Sequence, residues 1–520
     1  MVDFLPTVQS RPGEKPKVIL LHPDVGHLDT LRTSPSLPLS LLHAAAFLAR
    51  EFETHIIDMR LDPDWKKHLR QLLGRDTILA GATSYTGPMI RPALEMSRFV
   101  KTHSDVPVVW GGIHASLLPE QTLADENVDM VIQGEGEIAL WALARALRDG
   151  TSFDKVQGLY YKQDGQSFGH PPGPFIDLNT VPELPYHLVD VQKYLPLYMG
   201  SRSFYFQSSR GCPFGCTYCF NTAFNKHKWR SLSAEKTIER IAAVKDRFDI
   251  GDVYFVDDNF FIDIDRSKRI MSGLAEIGIP WQVQGVDIIS LQKMDDEFLK
   301  ELERSGCRRI TIGVESGSER IRRLMKKKGQ VSDIVECIRR IKNYNIIVFC
   351  SFLTGVPTET VEELKETVKL LLTLLEENPN VRNSPIYNYT PYPGTEMYHL
   401  AVEQGFVPPK DLKSWSTLGR WDLDSFEKNS PPRRVWGKKN LQVFEYLYFT
   451  SLFLDKKTNE YPLPRPLKLL IDAYRPIARF RVRNLFFSFM IEKYFSRAAQ
   501  WLIGRGYLLK RLSSVRPDKP

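Results

Sequence analysis

The sequence predicts an α/β protein with two successive parallel units, a doubly wound Rossmann-like sheet and a partial (β/α)6 barrel, followed by a helical C-terminal region. Short apolar runs alternate with helical patterns from Lys17 to about residue 150, and the same alternation resumes at Ser203 and stops near residue 400. Strands that alternate with amphipathic helices are typical of parallel sheets. Half of the six cysteines also fall on one loop, directly after the first strand of the second series.

The composition is that of a globular protein, with 42% hydrophobic and 25% charged residues over 520 positions. No apolar run reaches the ~18 residues of a membrane span, and the N-terminus lacks the apolar core of a signal peptide. We therefore expect a cytoplasmic protein whose cysteines are reduced and free to bind metal. The net charge of +8 resides in the segment 461–520, which holds thirteen Lys and Arg against three Asp and Glu.

The first series predicts a domain over residues 16–150. Its predicted strands are 18–22, 55–59, 77–82, 106–110 and 130–132, and its predicted helices lie near 38–51, 64–73, 88–103 and 138–148. A ligand of such a sheet binds beyond the carboxyl ends of the strands, where small residues recur and let the backbone approach a large ligand. No G-x-G-x-x-G follows the first strand, which argues against a dinucleotide.

Residues 151–200 are predicted to be a linker with a hairpin at Gln163-Asp164-Gly165, because six prolines between 171 and 196 indicate an extended chain. The barrel is predicted over 201–400, with strands at 203–208, 252–257, 281–287, 308–313, 346–353 and 384–390 and helices near 233–248, 265–277, 295–305, 331–344 and 359–377. The active site of a barrel of parallel strands lies at the carboxyl ends of those strands.

The loop cysteines Cys212, Cys216 and Cys219 have a C-x3-C-x2-C spacing. Thiolates bind iron–sulfur clusters or zinc, and three of them can hold three irons of a 4Fe-4S cluster while the fourth iron stays open. The alternative is a zinc site with His227 as fourth ligand, although closed zinc sites commonly use two separated ligand pairs. The remaining cysteines lie in apolar patterns, so we expect them to be buried and to form no second cluster: Cys307, Cys337 and Cys350.

The cysteine loop from Arg210 to Asn221 resembles the signature of the radical S-adenosylmethionine (SAM) superfamily. The loops Trp110–His114 and Gln133–Glu137 resemble the N-terminal cobalamin-binding domain of one branch of that superfamily, which contains hopanoid methylases and the anaerobic magnesium-protoporphyrin ester cyclase. The better-known cobalamin fingerprint D-x-H-x-x-G is absent after the first strand, so we assign no axial ligand to cobalt.

This resemblance implies three cofactors, a 4Fe-4S cluster, SAM and cobalamin. The cluster ligands would be the three loop cysteines. The residues that would bind SAM lie at the strand ends of the barrel: Asp257, Asp258, Glu315, Gly355 and Pro391. The residues that would bind cobalamin lie in the loops of the first domain: Ser84, Tyr85, Gly111, Gly112, His114, Gly134, Glu135 and Gly136.

The resemblance also implies the chemistry. The reduced cluster would split SAM into a 5'-deoxyadenosyl radical, which takes hydrogen from an unactivated carbon, and that carbon would then receive the methyl group of methylcobalamin. The expected substrate is hydrophobic, a lipid, an isoprenoid or a tetrapyrrole, and the expected electron donor is of the flavodoxin or ferredoxin type. An oxidative cyclase or hydroxylase of the same branch is the alternative.

The C-terminal region, 401–520, is predicted to be helical. An aromatic helix at 444–449 and tryptophans 415, 421 and 436 could roof an apolar cavity. The segment 466–511 interleaves basic with bulky apolar residues, a pattern typical of helices at a membrane surface. The alternative is a set of helices packed on the barrel with a solvated basic face. Nucleic acid is not an expected partner, because the basic residues alternate with aliphatic ones.

Two other function classes fit the sequence less well. A radical methylthiotransferase would need a cysteine-bearing N-terminal domain for a second cluster, and no cysteine precedes Cys212. A redox or cobalamin sensor would need no SAM site, whereas the barrel strand ends at 257, 315 and 355–357 fit one.

Overall fold

The computed structural model describes residues 15–25, 34–198, 201–418, 437–456 and 465–487, together with Glu492 and Tyr494. The strands in chain order are β1 Lys17–His22, β2 Glu53–Asp58, β3 Thr77–Thr83, β4 Val108–Gly111, β5 Met130–Ile132, β6 Leu159–Gln163, β7 Gln166–Gly169, β8 Leu197–Tyr198, β9 Ser201–Phe206, β10 Ser209–Arg210, β11 Arg230–Ser231, β12 Asp252–Phe255, β13 Trp281–Val286, β14 Cys307–Glu315, β15 Ile347–Thr354 and β16 Val381–Asn388.

The described α-helices follow the same chain order. They are α1 Leu39–Glu51, α2 Trp65–Leu72, α3 Ile90–His103, α4 Ile113–Leu117, α5 Pro119–Leu123, α6 Gly136–Asp149, α7 Phe220–Phe224, α8 Ala234–Arg247, α9 Ile264–Ile277, α10 Ile288–Lys293, α11 Asp296–Arg304, α12 Glu319–Leu324, α13 Val331–Ile341, α14 Val361–Glu377, α15 Glu396–Glu403, α16 Leu412–Trp415, α17 Gly437–Ser451 and α18 Arg465–Arg483.

The first sheet has seven strands in the order β2-β1-β3-β4-β5-β6-β7, and the first five of them are parallel. Helices cover both faces because the strands are apolar on both sides; every residue of β3 is buried. The strand order reverses between β1 and β3, and open sheets of this kind bind ligands beside that reversal, beyond the carboxyl ends of the strands. The predicted doubly wound fold is confirmed.

The predicted hairpin is present, but it belongs to the first sheet. β6 pairs antiparallel with β5, and β7 pairs antiparallel with β6. Its turn residues Asp164 and Gly165 both have positive φ, 52° and 73°, as a two-residue type I′ turn requires. The pairing could not be foreseen because a hairpin pattern does not say which edge it joins.

The second sheet runs β8-β9-β12-β13-β14-β15-β16. From β9 onward its six strands are parallel and lie in chain order, which is the predicted partial barrel. Local signals fix where its helices begin. Thr360 caps α14 by accepting a hydrogen bond from the backbone N of Glu363, whose carboxylate accepts one from the backbone N of Thr360. The loops between strand ends and helices therefore have defined lengths.

The C-terminal helices cover the edge of the barrel sheet. In α17, Phe444 and Leu447 are buried in the barrel core. The Ser451 hydroxyl accepts from the backbone N of Ile386 at 3.1 Å, and Asp455 accepts from the backbone N of Asn383 at 2.7 Å. The aromatic helix thus covers the exposed edge of β16, which would otherwise leave unpaired backbone groups.

The predicted tryptophan roof is only partly within the described residues. Trp415 packs against the first domain, with its ring 5.5 Å from that of His114, while tryptophans 421 and 436 lie outside the described residues, as does most of the segment 488–511. No helix in the described part of the chain combines the length and apolarity needed to cross a bilayer.

Candidate functional site

The cysteine loop leaves the barrel through a short antiparallel ribbon. Arg210 of β10 pairs with Arg230 of β11, and the loop between them contains Cys212, Cys216 and Cys219. Gly211 opens the loop with a φ of 81°, where a Cβ atom would come within 2.0 Å of the Lys228 carbonyl. Only glycine fits at this position, so the base of the loop has a fixed conformation.

The three thiols influence one another electrostatically. The pKa of Cys219 is raised to about 12, mainly by burial and in smaller part by the neighbouring Cys216 and Cys212. Burial also raises the pKa values of Cys212 and Cys216. The metal-free thiols are therefore protonated at neutral pH, and binding iron must release protons.

No group of three or more His, Cys, Asp or Glu in the described ranges surrounds a single point as one metal ion requires. A cubane differs in its demands, because each thiolate binds its own iron. His227, the alternative zinc ligand, lies next to the loop, with its Cε1 atom 3.5 Å from a Cβ built on Gly215. The remaining cysteines are buried, as predicted.

The β12 end braces the cysteine loop. Asp257 is fully buried and accepts hydrogen bonds from the Ser208 backbone N at 2.7 Å and from the Ser208 and Ser209 hydroxyls at 2.6 Å. Asp258 accepts from the Gly211 backbone N at 2.7 Å. Asp257 is thus saturated by the protein and supports the loop from behind, whereas Asp258 faces the cleft between the two sheets.

Asn259, which sequence reasoning did not select, is the β12-end residue nearest the cysteines. Its amide Nδ2 lies 3.6 Å from the Cys212 sulfur and donates to Asp287 at 2.9 Å. Its carbonyl Oδ1 is buried without a hydrogen-bond partner in the described part of the chain. An orphaned acceptor beside a cluster cysteine fits the ammonium group of SAM. Its place directly after the Asp-Asp pair was the signal available in the sequence.

The β14 end carries a strained acid. Glu315 has a φ of 68°, a conformation that costs a non-glycine residue of order 1–3 kcal/mol and is typical of functional sites. Its carboxylate lies 3.6 Å from the ammonium of Lys327. A Cβ on Gly313 would fall within 2.8 Å of both groups, so this glycine makes room for the pair. Lys327 was missed because nothing in the local pattern places it at a strand end.

Lys327 is held as a cation. Burial disfavours its ammonium, but Glu315 and Cys216 outweigh that cost and the pKa of Lys327 is raised. The other two residues predicted to bind SAM, Gly355 and Pro391, follow the next two strands of the sheet, β15 and β16. Gly355 has a φ of 72° and donates its N–H to Glu359, and Pro391 precedes Tyr392, whose ring lies 6.2 Å from that of Phe220 in the helix after the cysteines.

A cleft separates the carboxyl edge of the first sheet from the cysteine loop. Its cavity volume is about 290 Å³, near the lower end of the ~300–1,000 Å³ of ordinary small-molecule pockets, and it opens widely to solvent. Side chains from β1, β3, β4, β5, α1 and α6 form its apolar floor: Leu20, Leu41, Ala44, Val109, Ile132 and Leu140. Residues of the barrel form the opposite wall: Gln207, Arg210, Phe220, Phe224, Asn225 and Asp258.

Five of the predicted cobalamin residues line this cleft, namely Gly111, Gly112, Gly134, Glu135 and Gly136. A Cβ on Gly111 would meet no atom within 4 Å, so the backbone there is open to the cleft. On Gly112, with a φ of 89°, a Cβ would collide with the Ser84 backbone O at 2.6 Å. The first glycine thus leaves space for a ligand, and the second allows two loops to pack together.

The other three predicted residues are not among those lining the cleft. The Ser84 backbone N donates to the Gly111 carbonyl at 3.0 Å, which ties the β3 and β4 loops together, and Tyr85 follows it in the same loop. His114 is fully buried, its Nδ1 3.1 Å from the Thr86 hydroxyl. Burial lowers the pKa of His114 to about 4, so its ring is neutral. Ser84 and His114 thus support the loops from behind.

Comparison with known proteins finds the same two domains. A family model described as the radical SAM superfamily matches residues 206–371, and one described as a B12 binding domain matches residues 32–144. Both matches lie inside the predicted domain bounds of 201–400 and 16–150.

Three similar proteins cover most of the two domains. An uncharacterized methyltransferase of Pyrococcus horikoshii is 27% identical over 73% of this chain and 82% of its own length. The cytidylyl-2-hydroxyethylphosphonate methyltransferase of Streptomyces wedmorensis is 27% identical, covering 58% of this chain and 62% of its own. The anaerobic magnesium-protoporphyrin IX monomethyl ester cyclase of Rubrivivax gelatinosus is 24% identical, covering 62% and 58%. The matches to the last two relatives therefore span less than two thirds of the length of those proteins.

Two solved structures share the fold. The radical SAM methyltransferase TsrM from Kitasatospora setae, solved with cobalamin and a 4Fe-4S cluster, superposes with a TM-score of 0.62 at 18% identity over 76% of each chain. The cobalamin-dependent radical enzyme OxsB, solved with aqua-cobalamin and SAM, gives 0.65 at 17% identity over 97% of this chain and 82% of its own. Residues 32–144 are thus a B12-binding domain and residues 206–371 a radical SAM domain, and the cofactors that these two domains take are a 4Fe-4S cluster, SAM and cobalamin.

Proposed function

We propose that this enzyme methylates an unactivated carbon of a hydrophobic substrate. One observation carries the proposal: the glycine loops of the B12-binding domain and the loop that follows the cysteines line a single cleft. When bound there, SAM with the cluster supplies a carbon radical and cobalamin supplies a methyl group. A reaction that needs both must bring them to one substrate, and a shared cleft supports that arrangement.

The residues at the carboxyl ends of the barrel strands would each contact a different part of the cluster or of SAM. Cys212, Cys216 and Cys219 would hold three irons. Asn259 would accept from the SAM ammonium, and Lys327 would bind its carboxylate, since a buried cation beside a cluster cysteine favours an anion. The left-handed backbone of Glu315 directs its carboxylate to the same place, where it would accept from the ribose hydroxyls. Gly355 and Pro391 would border the adenosine.

Cobalamin would lie on the backbone of the first domain. Gly111, Gly134 and Gly136 present their main chain to the cleft, and glycine lets a large planar ligand approach closely. Below them, the floor of Leu20, Val109 and other apolar side chains would take the part of the cofactor that enters between the sheet and helices α1 and α6.

The polarity of the substrate is inferred from the barrel. On the sheet face opposite the helices, the rings of Tyr205 and Tyr254 lie 5.0 Å apart, and Tyr387 remains 37% exposed. The same face carries Arg309, which stacks on Tyr254 at 4.5 Å, and Gln284, which accepts from the Tyr254 hydroxyl at 3.1 Å. Aromatic rings with a few polar groups favour a substrate that is mainly a ring or a chain of apolar carbon. The cyclase relative, named for a porphyrin ester, is consistent with such a substrate, whereas the phosphonate methyltransferase relative is named for a polar one.

The reaction and substrate class can be tested together. Extracts of cells with and without the protein are compared by mass spectrometry for apolar compounds that differ by the mass of one methylene. A pair that differs by one oxygen atom, or by two hydrogens, would instead favour the alternative, an oxidative hydroxylase or cyclase, which the Rubrivivax relative keeps open. A methylene difference confined to water-soluble compounds would contradict the hydrophobic substrate.

We expect Lys327→Met to raise the KM for SAM about 10- to 100-fold, because a lost charge-assisted hydrogen bond costs about 1.5–3 kcal/mol. The measurement is the initial rate of 5'-deoxyadenosine release by anaerobically reconstituted enzyme as SAM is varied. Lys326→Met is the matched control, since the side chain of Lys326 is exposed and pairs with Glu396. An unchanged KM in Lys327→Met at wild-type iron content would exclude this role.

We infer that contact with the membrane surface occurs through α18. Its exposed side includes Leu469, Leu470, Ile477 and Phe480, which are 53–70% exposed, at the spacing of one helix face. Arg465 and Arg483 lie exposed at its two ends. An apolar stripe flanked by cations is suited to an anionic bilayer surface.

Ile477→Ser with Phe480→Ser should weaken binding to phosphatidylglycerol vesicles about tenfold or more, given about 1.5–3 kcal/mol for each fully buried apolar side chain. Co-sedimentation measures the bound fraction. The control is Val402→Ser with Val407→Ser, two exposed valines remote in sequence from α18. Equal losses in both double variants would show that the stripe has no special role, and no binding by wild type would refute the inference.

A further inference from the structure

Two acidic residues of the B12-binding domain contact the base of the cysteine loop. Glu135 accepts a hydrogen bond from Arg210 at 2.7 Å, and Glu137 accepts one from the same guanidinium at 2.5 Å. Arg230 donates to the shared Glu135 oxygen at 2.7 Å. We call these four residues the interdomain clamp. None of the chemistry assigned above uses it.

The clamp is buried and electrically balanced. Its four side chains are between 4% and 16% exposed. Burial opposes the charge on Arg210, yet Glu137 and Glu135 raise the pKa of that guanidinium. His43 lies 3.7 Å from Glu137, and burial, with Arg210 adding to it, holds the pKa of His43 well below its usual value. Two anions therefore meet two cations beside a neutral imidazole.

The clamp connects the base of the cysteine loop to a loop that lines the cleft. Arg210 and Arg230 are directly paired in the β10–β11 ribbon, which closes the base of the cysteine loop. Arg210 is two residues before Cys212. On the other side, Glu135 lies between Gly134 and Gly136, whose backbone lines the cleft. The loop thus lines the cleft with its glycine backbone, and its carboxylates, which also line the cleft, reach across to Arg210 of the barrel.

Further contacts fix the clamp on both sides. The second oxygen of Glu135 accepts from the Ile176 backbone N at 2.9 Å, so the segment between the domains is held as well. Arg230 donates to Asn225 at 2.7 Å and stacks on Phe175, 4.1 Å from the ring centre. Removing one member of a buried ion pair leaves an uncompensated charge and is strongly destabilising, so neutralising the carboxylates should weaken the connection between the two loops.

We propose that Glu135 and Glu137 are positioning residues that set the separation between the corrinoid and the cluster, rather than ligands of cobalamin. The inference rests on the proposed function, which places both cofactors in the cleft. A group transfer between two bound partners is sensitive to shifts of about 1 Å, which can cost about 100-fold in rate. The clamp is the direct salt-bridge connection between the glycine loop and the cysteine loop among the described residues.

The test measures cofactor separation instead of turnover. Full-length protein is reconstituted with iron and sulfide, loaded with hydroxocobalamin, and reduced until cob(II)alamin and the cluster are both paramagnetic. Pulsed EPR then reports how strongly the cluster accelerates cob(II)alamin spin relaxation, which depends steeply on distance. The variants are Glu137→Gln and the double variant Glu135→Gln with Glu137→Gln, which keep side-chain size.

We expect both variants to retain iron and corrinoid while the relaxation enhancement falls severalfold, more in the double variant. Glu51→Gln is the matched control, because Glu51 pairs with Arg148 inside the first domain and bridges no domains. Wild-type relaxation in the double variant would overturn the inference, since a merely stabilising pair lowers yield but leaves folded molecules unchanged.

Two outcomes separate this inference from the proposed function. If wild-type protein takes up no hydroxocobalamin, the proposed function fails and the inference falls with it. If wild type binds corrinoid and only the clamp result is negative, the proposed function stands alone. If the glutamine variants lose a cofactor, the same measurement is made on Glu137→Asp, which keeps the charge but shortens the reach. A reduced relaxation enhancement in Glu137→Asp would support the inference, and a wild-type enhancement would overturn it.

Discussion

Cys219→Ala is expected to abolish 5'-deoxyadenosine formation and to leave the protein without an intact 4Fe-4S cluster. Cys219 is the last of three thiols on a loop whose base is fixed by Gly211 and Asp258, and a cluster on three protein ligands cannot lose one without losing an iron or its attachment. The measurements are iron and sulfide content, the EPR spectrum of the reduced protein, and product release with SAM. The loss should be complete to background.

Cys337→Ala is the matched control. This cysteine is buried in α13, 2% exposed, within the barrel core, so its replacement should cost some stability and leave iron content and SAM cleavage unchanged. Anaerobic protein that contains zinc instead of iron, or a Cys219→Ala variant that keeps the wild-type EPR response to SAM, would contradict the cluster assignment. The first of these results would restore His227 as the candidate fourth ligand of a zinc site.

Local patterns in the sequence predicted most of the secondary structure. Of the eleven strands that were predicted with bounds, β5 was predicted at its observed bounds and the other ten to within three residues, because buried parallel strands read as short apolar runs between turns. The short strands β8, β10 and β11 were not predicted. The order of the strands in each sheet could not be predicted from these apolar runs. The 2-1-3-4-5 order of the first sheet and the attachment of β6 to β5 depend on contacts between distant segments. The edge position of α17 on β16 depends on the same kind of contact.

The residues of the candidate site likewise fall into two groups, those that local sequence signals predict and those that depend on contacts between distant segments. Spacing led to the prediction of the cysteines, and strand ends together with the family resemblance led to the prediction of Glu315 and Asp258. Asn259 could have been selected from its place directly after the Asp-Asp pair. Lys327 and the partners of Glu135 could not be selected, because they meet the site only through contacts between distant segments. His114 was selected for its type and position, but whether a loop histidine faces a ligand or the core depends on packing, here against Trp415.

Gly111→Leu is expected to weaken cobalamin binding about tenfold to a hundredfold while SAM cleavage in the absence of substrate persists. A Cβ on Gly111 meets no atom within 4 Å, and its φ is not in the left-handed region, so the leucine should fit without strain and project into the cleft. Filling a space that the cofactor needs costs binding about as overpacking costs a core, roughly 1–3 kcal/mol. Titration with hydroxocobalamin, followed by absorbance, gives the Kd.

A graded series makes this test specific to the cleft. Gly111→Ala adds one methyl group and should bind nearly as wild type, whereas Gly112→Ala, with a φ of 89° and a Cβ in collision with Ser84, should unfold the β4 loop and reduce thermal stability. Corrinoid affinity should thus fall with side-chain size at 111 without loss of stability. An unchanged Kd in Gly111→Leu would mean that cobalamin does not occupy this cleft, and the methyl-transfer half of the proposed function would fail while the radical half survived.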